Sequence, residues 1–120
     1  MMDLLSLDSP PTALLVLNNF SAKGVLRAAK ETGLRVPEDI SIVGFGDIPS
    51  SCMTEPPLTT IREPFQEMGY EACDRLLKII QGKRIPQKHL ILPVELVIRK
   101  TTAPPSQHRS REHLSGLDNG

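Results

Sequence analysis

The sequence comprises 120 residues in which 14 lysines and arginines face 14 aspartates and glutamates, a formal net charge of zero. No surplus of positive charge is left to neutralise a phosphate backbone, which speaks against direct nucleic-acid binding by this stretch of chain. The 39% hydrophobic content supports a core, yet no apolar run nears the roughly 20 residues of a membrane span and no secretory signal opens the chain. The expectation is a cytoplasmic protein with no membrane partner.

Residues 1–11 begin with two methionines and close on Ser-Pro-Pro, and read as a leader or truncation edge. A globular part is expected over 12–103, and the polar stretch 104–120 reads as a disordered tail. Residues 13–19 (ALLVLNN) and 40–47 (ISIVGFGD) read as buried parallel strands running into small polar residues. Between them Ala22, Val25, Leu26 and Ala29 recur at helical spacing, with Asn19 or Ser21 available as a cap and Gly33 as the stop. Pro37, which has no N–H for a sheet ladder, belongs to the connection before Ile40.

Strand, helix, loop and strand make a right-handed βαβ crossover, so the distant segments 18–19 and 45–47 should meet at one edge of a sheet. In open α/β sheets that edge is where ligands bind. The amides of Asn18 and Asn19 suit a hydroxylated ligand, but they equally suit helix capping. Phe45 offers a flat apolar face, Gly46 close backbone approach and Asp47 an acceptor; the alternative is an ordinary turn leaving a strand.

Residues 48–57 carry Pro49, Pro56 and Pro57 and read as irregular, followed by a short extended piece over 58–61. A second helix follows, with Pro64 in its first turn, Glu63 and Glu67 near its positive end, Lys78 and Lys83 near its negative end, and Gly82 closing it. Its stripe of Phe65, Met68, Ala72, Leu76 and Ile79 is stronger than so short a chain is able to cover. Residues 90–100 are strand-like and broken at Pro93, as expected of an edge strand or of two short strands meeting at a bend.

Enzyme signatures are missing. Neither a phosphate loop nor a dinucleotide fingerprint is present, the serines form no nucleophile elbow, and His89, His108 and His113 have no triad partners. Cys52 and Cys73 do not make a zinc or CxxC motif and read as free thiols. No catalytic residue, metal or cofactor is expected.

The succession PTALLVLNNFSAKGVLRAAKETGLRVPEDISIVGFGDIPSS, PPLTTIREPFQEMG and LPVELVIRKTTAPP closely resembles the C-terminal part of lactose-repressor/galactose-repressor family transcription regulators, over residues 11–105. The resemblance implies an α/β class with an open, mostly parallel sheet and flanking helices, as part of a two-lobed fold like that of periplasmic binding proteins. It implies a partial effector-binding and dimerisation domain over 12–103, the 63–82 helix belonging to an absent N-terminal lobe. The partners implied are a sugar or related metabolite, a second copy in a homodimer, and operator DNA only through a missing helix-turn-helix headpiece.

By position, the resemblance makes Asn18 an effector-contacting asparagine, with Asn19, Phe45, Gly46 and Asp47 completing the ligand set. Gly46 stands where the family has an aspartate and Asn19 where aspartate is usual, a departure from the hydroxyl-binding carboxylate. Ser51, Cys52, Met53 and Thr54 resemble part of a dimer contact. Two other readings use the same fold: a solute-binding protein of a sugar transporter, and an α/β enzyme domain.

Overall fold

The computed structural model describes residues 2–85 and 87–105. Its elements in chain order are α1 (Met2–Leu5), β1 (Ala13–Leu15), α2 (Asn19–Glu31), β2 (Ser41–Phe45), a 3-10 turn (Pro49–Ser51), β3 (Thr59–Arg62), α3 (Phe65–Ile80) and β4 (Glu95–Val97). The strands form one sheet in the order β1-β2-β3-β4. The first three are parallel and β4 runs antiparallel to β3. This is the expected open, mostly parallel sheet, with the βαβ crossover in place.

Helix α2 starts where Asn18, in extended conformation, accepts a hydrogen bond from the Ser21 N–H through Oδ1 at 2.8 Å. The cap is therefore Asn18, not Asn19 or Ser21, because only Asn18 retains the non-helical backbone from which a side-chain oxygen reaches the free amides. The buried face of α2, including Ala22, Leu26 and Ala29, packs on the sheet. Ala22, Leu26, Ile42 and Leu58 form the core, with Val16, Val25 and Val36 packed against it. Residues 99–103 then cross the N-terminal ends of β2 and β3: the Thr101 hydroxyl donates to the Ile42 carbonyl at 2.6 Å and accepts from the Thr59 N–H at 2.8 Å.

Strand β1 departs from the expected buried strand. It spans three residues, and Leu15 and Leu17 are 65% and 86% exposed. The reason is its edge position: only β2 pairs with it, and α2 covers the face on which Leu14 lies beside Ile42. The strand-like stretch 90–100 contracts likewise to β4 after Pro93, at the opposite edge.

Residues 2–5, expected to belong to a leader, form one helical turn with Leu5 buried. The expected disordered tail lies largely outside the described residues. Helix α3 follows its amphipathic pattern but has no buried residue; Phe65, Leu76 and Ile79 are all more than half exposed. Among the described residues no helix is long and apolar enough to cross a membrane.

Candidate functional site

The C-terminal ends of β1, β2 and β3 lie side by side, and Asn19 ties them together. Its Nδ2 donates to the Gly46 carbonyl and, at 2.6 Å, to the Ser51 hydroxyl, while its Oδ1 accepts from the Thr60 hydroxyl at 3.3 Å. Segments 27 to 41 positions apart in sequence thereby share one buried amide. Helix geometry explains why Asn19 and not Asn18 does this. Asn19 lies on the same face as Ala22 and Leu26, which meets the sheet, whereas Asn18 stays exposed as the cap.

Gly46 leaves β2 at φ +86°, a conformation that L side chains rarely adopt, with its N–H donating to the Ile61 carbonyl at 2.9 Å. Phe45 is half-buried and stands opposite Ile61 in the β2–β3 register. Asp47, expected as a ligand acceptor, has both carboxylate oxygens engaged. Arg62 donates to Oδ2 through Nε at 2.9 Å and an Nη at 2.7 Å, and Arg99 donates to Oδ1 at 2.8 Å. Arg62 also pairs with Glu95 at 3.0 Å, and Arg99 donates to the Leu58 carbonyl at 2.8 Å.

Of the expected ligand residues, then, Asn18, Phe45 and Gly46 remain accessible at the strand ends, while Asn19 is 3% exposed and the Asp47 side chain 7%. Those last two brace the site from beneath instead of lining it. Arg62, Arg99 and Thr60 were not singled out by the sequence reading. For Arg62 a signal existed in the register, since pairing Phe45 with Ile61 sets the next residue of β3 beside the β2 exit. Arg99, 52 positions from its carboxylate, had none.

Burial pushes the Asp47 carboxyl up, but the bonds from Arg62 and Arg99 outweigh it and hold the group below the ordinary carboxylate value. A group depressed in the folded state contributes stability that is complete above its unfolded value, about 3.9, and is lost as pH falls through its folded value. Asp47→Asn is therefore expected to cost about 1–2 kcal/mol at pH 7, the low end for a buried pair because Arg62 is largely solvated. Urea denaturation repeated at decreasing pH should show the deficit shrinking below about pH 4, as the parent carboxylate itself becomes neutral.

The residues expected at a dimer contact divide in the same way. Ser51 is fully buried and bonded to Asn19, which removes it from that surface. Cys52 and Met53 are exposed, Met53 by 82%, and Met53 shares a hollow with Lys23, Leu26 and Arg27 of α2. The Thr54 hydroxyl lies within hydrogen-bond distance of the Ser51 and Pro56 carbonyls, which fixes the loop that carries them. Cys52 and Cys73 are free thiols, and among the described residues no group of three or more His, Cys, Asp or Glu is arranged to hold a metal.

A site built this way offers hydrogen bonds, an aromatic ring and close backbone approach, the means of holding a small polar molecule. A family model described as a periplasmic binding protein-like domain matches residues 1–102. The lactose operon repressor of Escherichia coli is 49% identical over 96 residues, covering 80% of this chain and 26% of that protein. The HTH-type transcriptional regulator MalR of Streptomyces coelicolor is 42% identical over 100 residues, covering 83% and 29% respectively.

A crystal structure of the lac repressor dimer bound to operator and the anti-inducer ONPF matches with a TM-score of 0.74 at 48% identity, over 78% of this chain and 32% of that one. The chain thus spans about a quarter to a third of the length of these relatives. Matched over most of its length by that model, the chain belongs to the periplasmic binding protein-like domain family.

Proposed function

We propose that this chain is the effector-sensing and dimerising part of a bacterial HTH-type transcription regulator. It binds a small metabolite at the C-terminal ends of β1 and β2 and performs no catalysis. The observation that carries this reading is the buried Asn19 amide, which clamps those strand ends together and leaves Asn18, Phe45 and Gly46 accessible beside them. The names of the relatives, a repressor and an HTH-type regulator, support the same reading.

In this proposal residues 12–103 supply one wall of the effector crevice, and a second lobe, outside this sequence, supplies the other and covers the apolar stripe of α3. An effector touching both lobes binds the closed arrangement more tightly and so shifts the population that sets DNA affinity. Cys52, Met53 and Thr54 contribute to a homodimer. Contact with operator DNA is made by a headpiece that is not among these residues, and the regulator acts in the cytoplasm.

Thermal-shift screening of the complete gene product against sugars, nucleosides and phosphorylated metabolites tests the reading. One class is expected to stabilise the protein, by about 2.7 kcal/mol at a hundredfold excess over Kd, and to alter its retention on DNA. Phe45→Ala should weaken that binding roughly tenfold, through loss of a buried aromatic contact. Turnover of the ligand would favour an enzyme, and binding without any effect on DNA a solute-binding protein. Unchanged affinity in Phe45→Ala would move the site elsewhere.

A further inference from the structure

Residues 75–94 hold five of the 14 lysines and arginines and none of the 14 aspartates and glutamates, so the zero net charge of the whole sequence conceals a basic block. The fold divides that block in two. Arg75 and Lys78 are matched on α3 by Glu71 and Asp74. Lys83, Arg84 and Lys88, in the loop beyond the helix, are exposed and make no ion pair among the described residues, where every other arginine has a carboxylate partner. Lys88 borders a hollow that Glu63 and Glu71 also line, and their field offsets part of its charge, whereas Lys83 and Arg84 lie outside it. Closing the helix does not require these cations. The Lys83 N–H donates to the Lys78 carbonyl at 2.9 Å and the Gly82 N–H to the Ile79 carbonyl at 3.0 Å, a backbone cap for the last turn. Arg75 donates to the Gln87 carbonyl at 2.6 Å and ties down the other end of the loop. A loop anchored at both ends thus presents three like charges to solvent, about 24 Å along α3 from the end of β3.

We infer that Lys83, Arg84 and Lys88 form an auxiliary contact with the DNA backbone, pairing with phosphates alongside the headpiece. The inference rests on the preceding reading of the chain as part of a DNA-binding regulator. Like charges held together repel one another, and a polyanion offsets that cost while releasing its condensed counterions. Contacts of this kind carry no sequence information, so they add affinity for any duplex. Three cations are too few to hold DNA alone at physiological salt, in keeping with the neutral sequence, and they act only together with the headpiece. The rival occupant is an antiparallel second copy, because residues 63–74 hold four acidic residues and no basic one. DNA is favoured over it, since Glu71 and Asp74 are already engaged within α3 and leave only Glu63 and Glu67 to meet three cations.

Fluorescence anisotropy of the complete gene product on a mixed-sequence DNA duplex, titrated between about 50 and 200 mM salt, tests this. A variant carrying Lys83→Gln, Arg84→Gln and Lys88→Gln is expected to bind roughly tenfold to a hundredfold more weakly at the low-salt end and to reduce the slope of log K against log salt by about 2–3. Its melting temperature should stay within a degree or so, as expected for surface changes that break no side-chain contact. Should the triple variant fail to fold, Lys83→Gln alone should reduce the slope by about one. Lys100→Gln, which removes an exposed cation beyond β4, should leave the slope unchanged. An unchanged slope in the triple variant, or an equal loss in Lys100→Gln, overturns the inference and leaves the regulator reading standing. Weaker DNA binding accompanied by a smaller oligomer in light scattering also overturns it, by assigning the loop to a second copy. A gene product that binds the duplex at no salt concentration would overturn the regulator reading itself.

Discussion

Asn19→Ala is expected to lower the unfolding free energy by about 2–4 kcal/mol, measured by urea denaturation with an unchanged m-value. The Asn19 amide is almost wholly buried and serves three partners, two of which, Ser51 and Thr60, are fully buried. Removing it strands groups already withdrawn from water, each at about 1–3 kcal/mol. The total stays below the simple sum for three reasons. Hydroxyls rotate to other acceptors, the Gly46 carbonyl keeps the Ile48 N–H at 2.9 Å, and alanine is the better helix former by a few tenths of a kcal/mol. A loss under about 1 kcal/mol would show that the amide does not hold the strand ends together.

Gly44→Ala should cost about 3 kcal/mol, the upper end for overpacking. Gly44 is buried, and a Cβ on it would stand 2.5 Å from Asn19 Oδ1, 2.8 Å from Leu58 Cδ2 and 3.3 Å from Thr60 Oγ1. The glycine is required here by close approach, since its backbone is that of an ordinary strand. Because the intruding methyl presses on the amide removed by Asn19→Ala, the two substitutions share a cause. The double variant should be less destabilised than the sum of the singles by at least about 0.5 kcal/mol, the size expected of residues in contact. Strict additivity would mean that the methyl is accommodated by Leu58 alone, without disturbing Asn19.

Both substitutions act beneath the proposed effector site, whereas Phe45→Ala acts within it. This gives a way to tell support from contact. Losses at residues 19 and 44 should appear in ligand-free stability, and the loss at residue 45 in ligand affinity. The Asp47 pairs occupy an intermediate position, for they pin the β2 exit to β3 and to the segment after β4. Their contribution depends on pH as well as on packing.

Much of the fold was legible in local pattern. The apolar run around Ile42, the helical spacing from Ala22 to Ala29, the stripe on α3 and the break at Pro93 each depend on neighbours within a few residues, and each led to the element observed. Right-handed crossover then brought residues 18–19 to residues 45–47 without any knowledge of contacts. Division of labour at the site was less legible. Two adjacent asparagines look alike in sequence, yet Asn18 keeps the extended backbone of the cap and stays in solvent, while Asn19 opens the helix on the face that meets the sheet.

The sequence by itself determined where β2, α2 and α3 lie and which strand ends meet, because periodicity, caps and chain handedness are local properties. Only the tertiary structure decided that Asp47 is held by Arg62 and Arg99, that Ser51 is interior, and that β1 lies open at an edge. Those outcomes depend on sheet order and on pairs up to 52 positions apart. Whether a polar side chain is satisfied or left free for a ligand is settled by which distant partner reaches it.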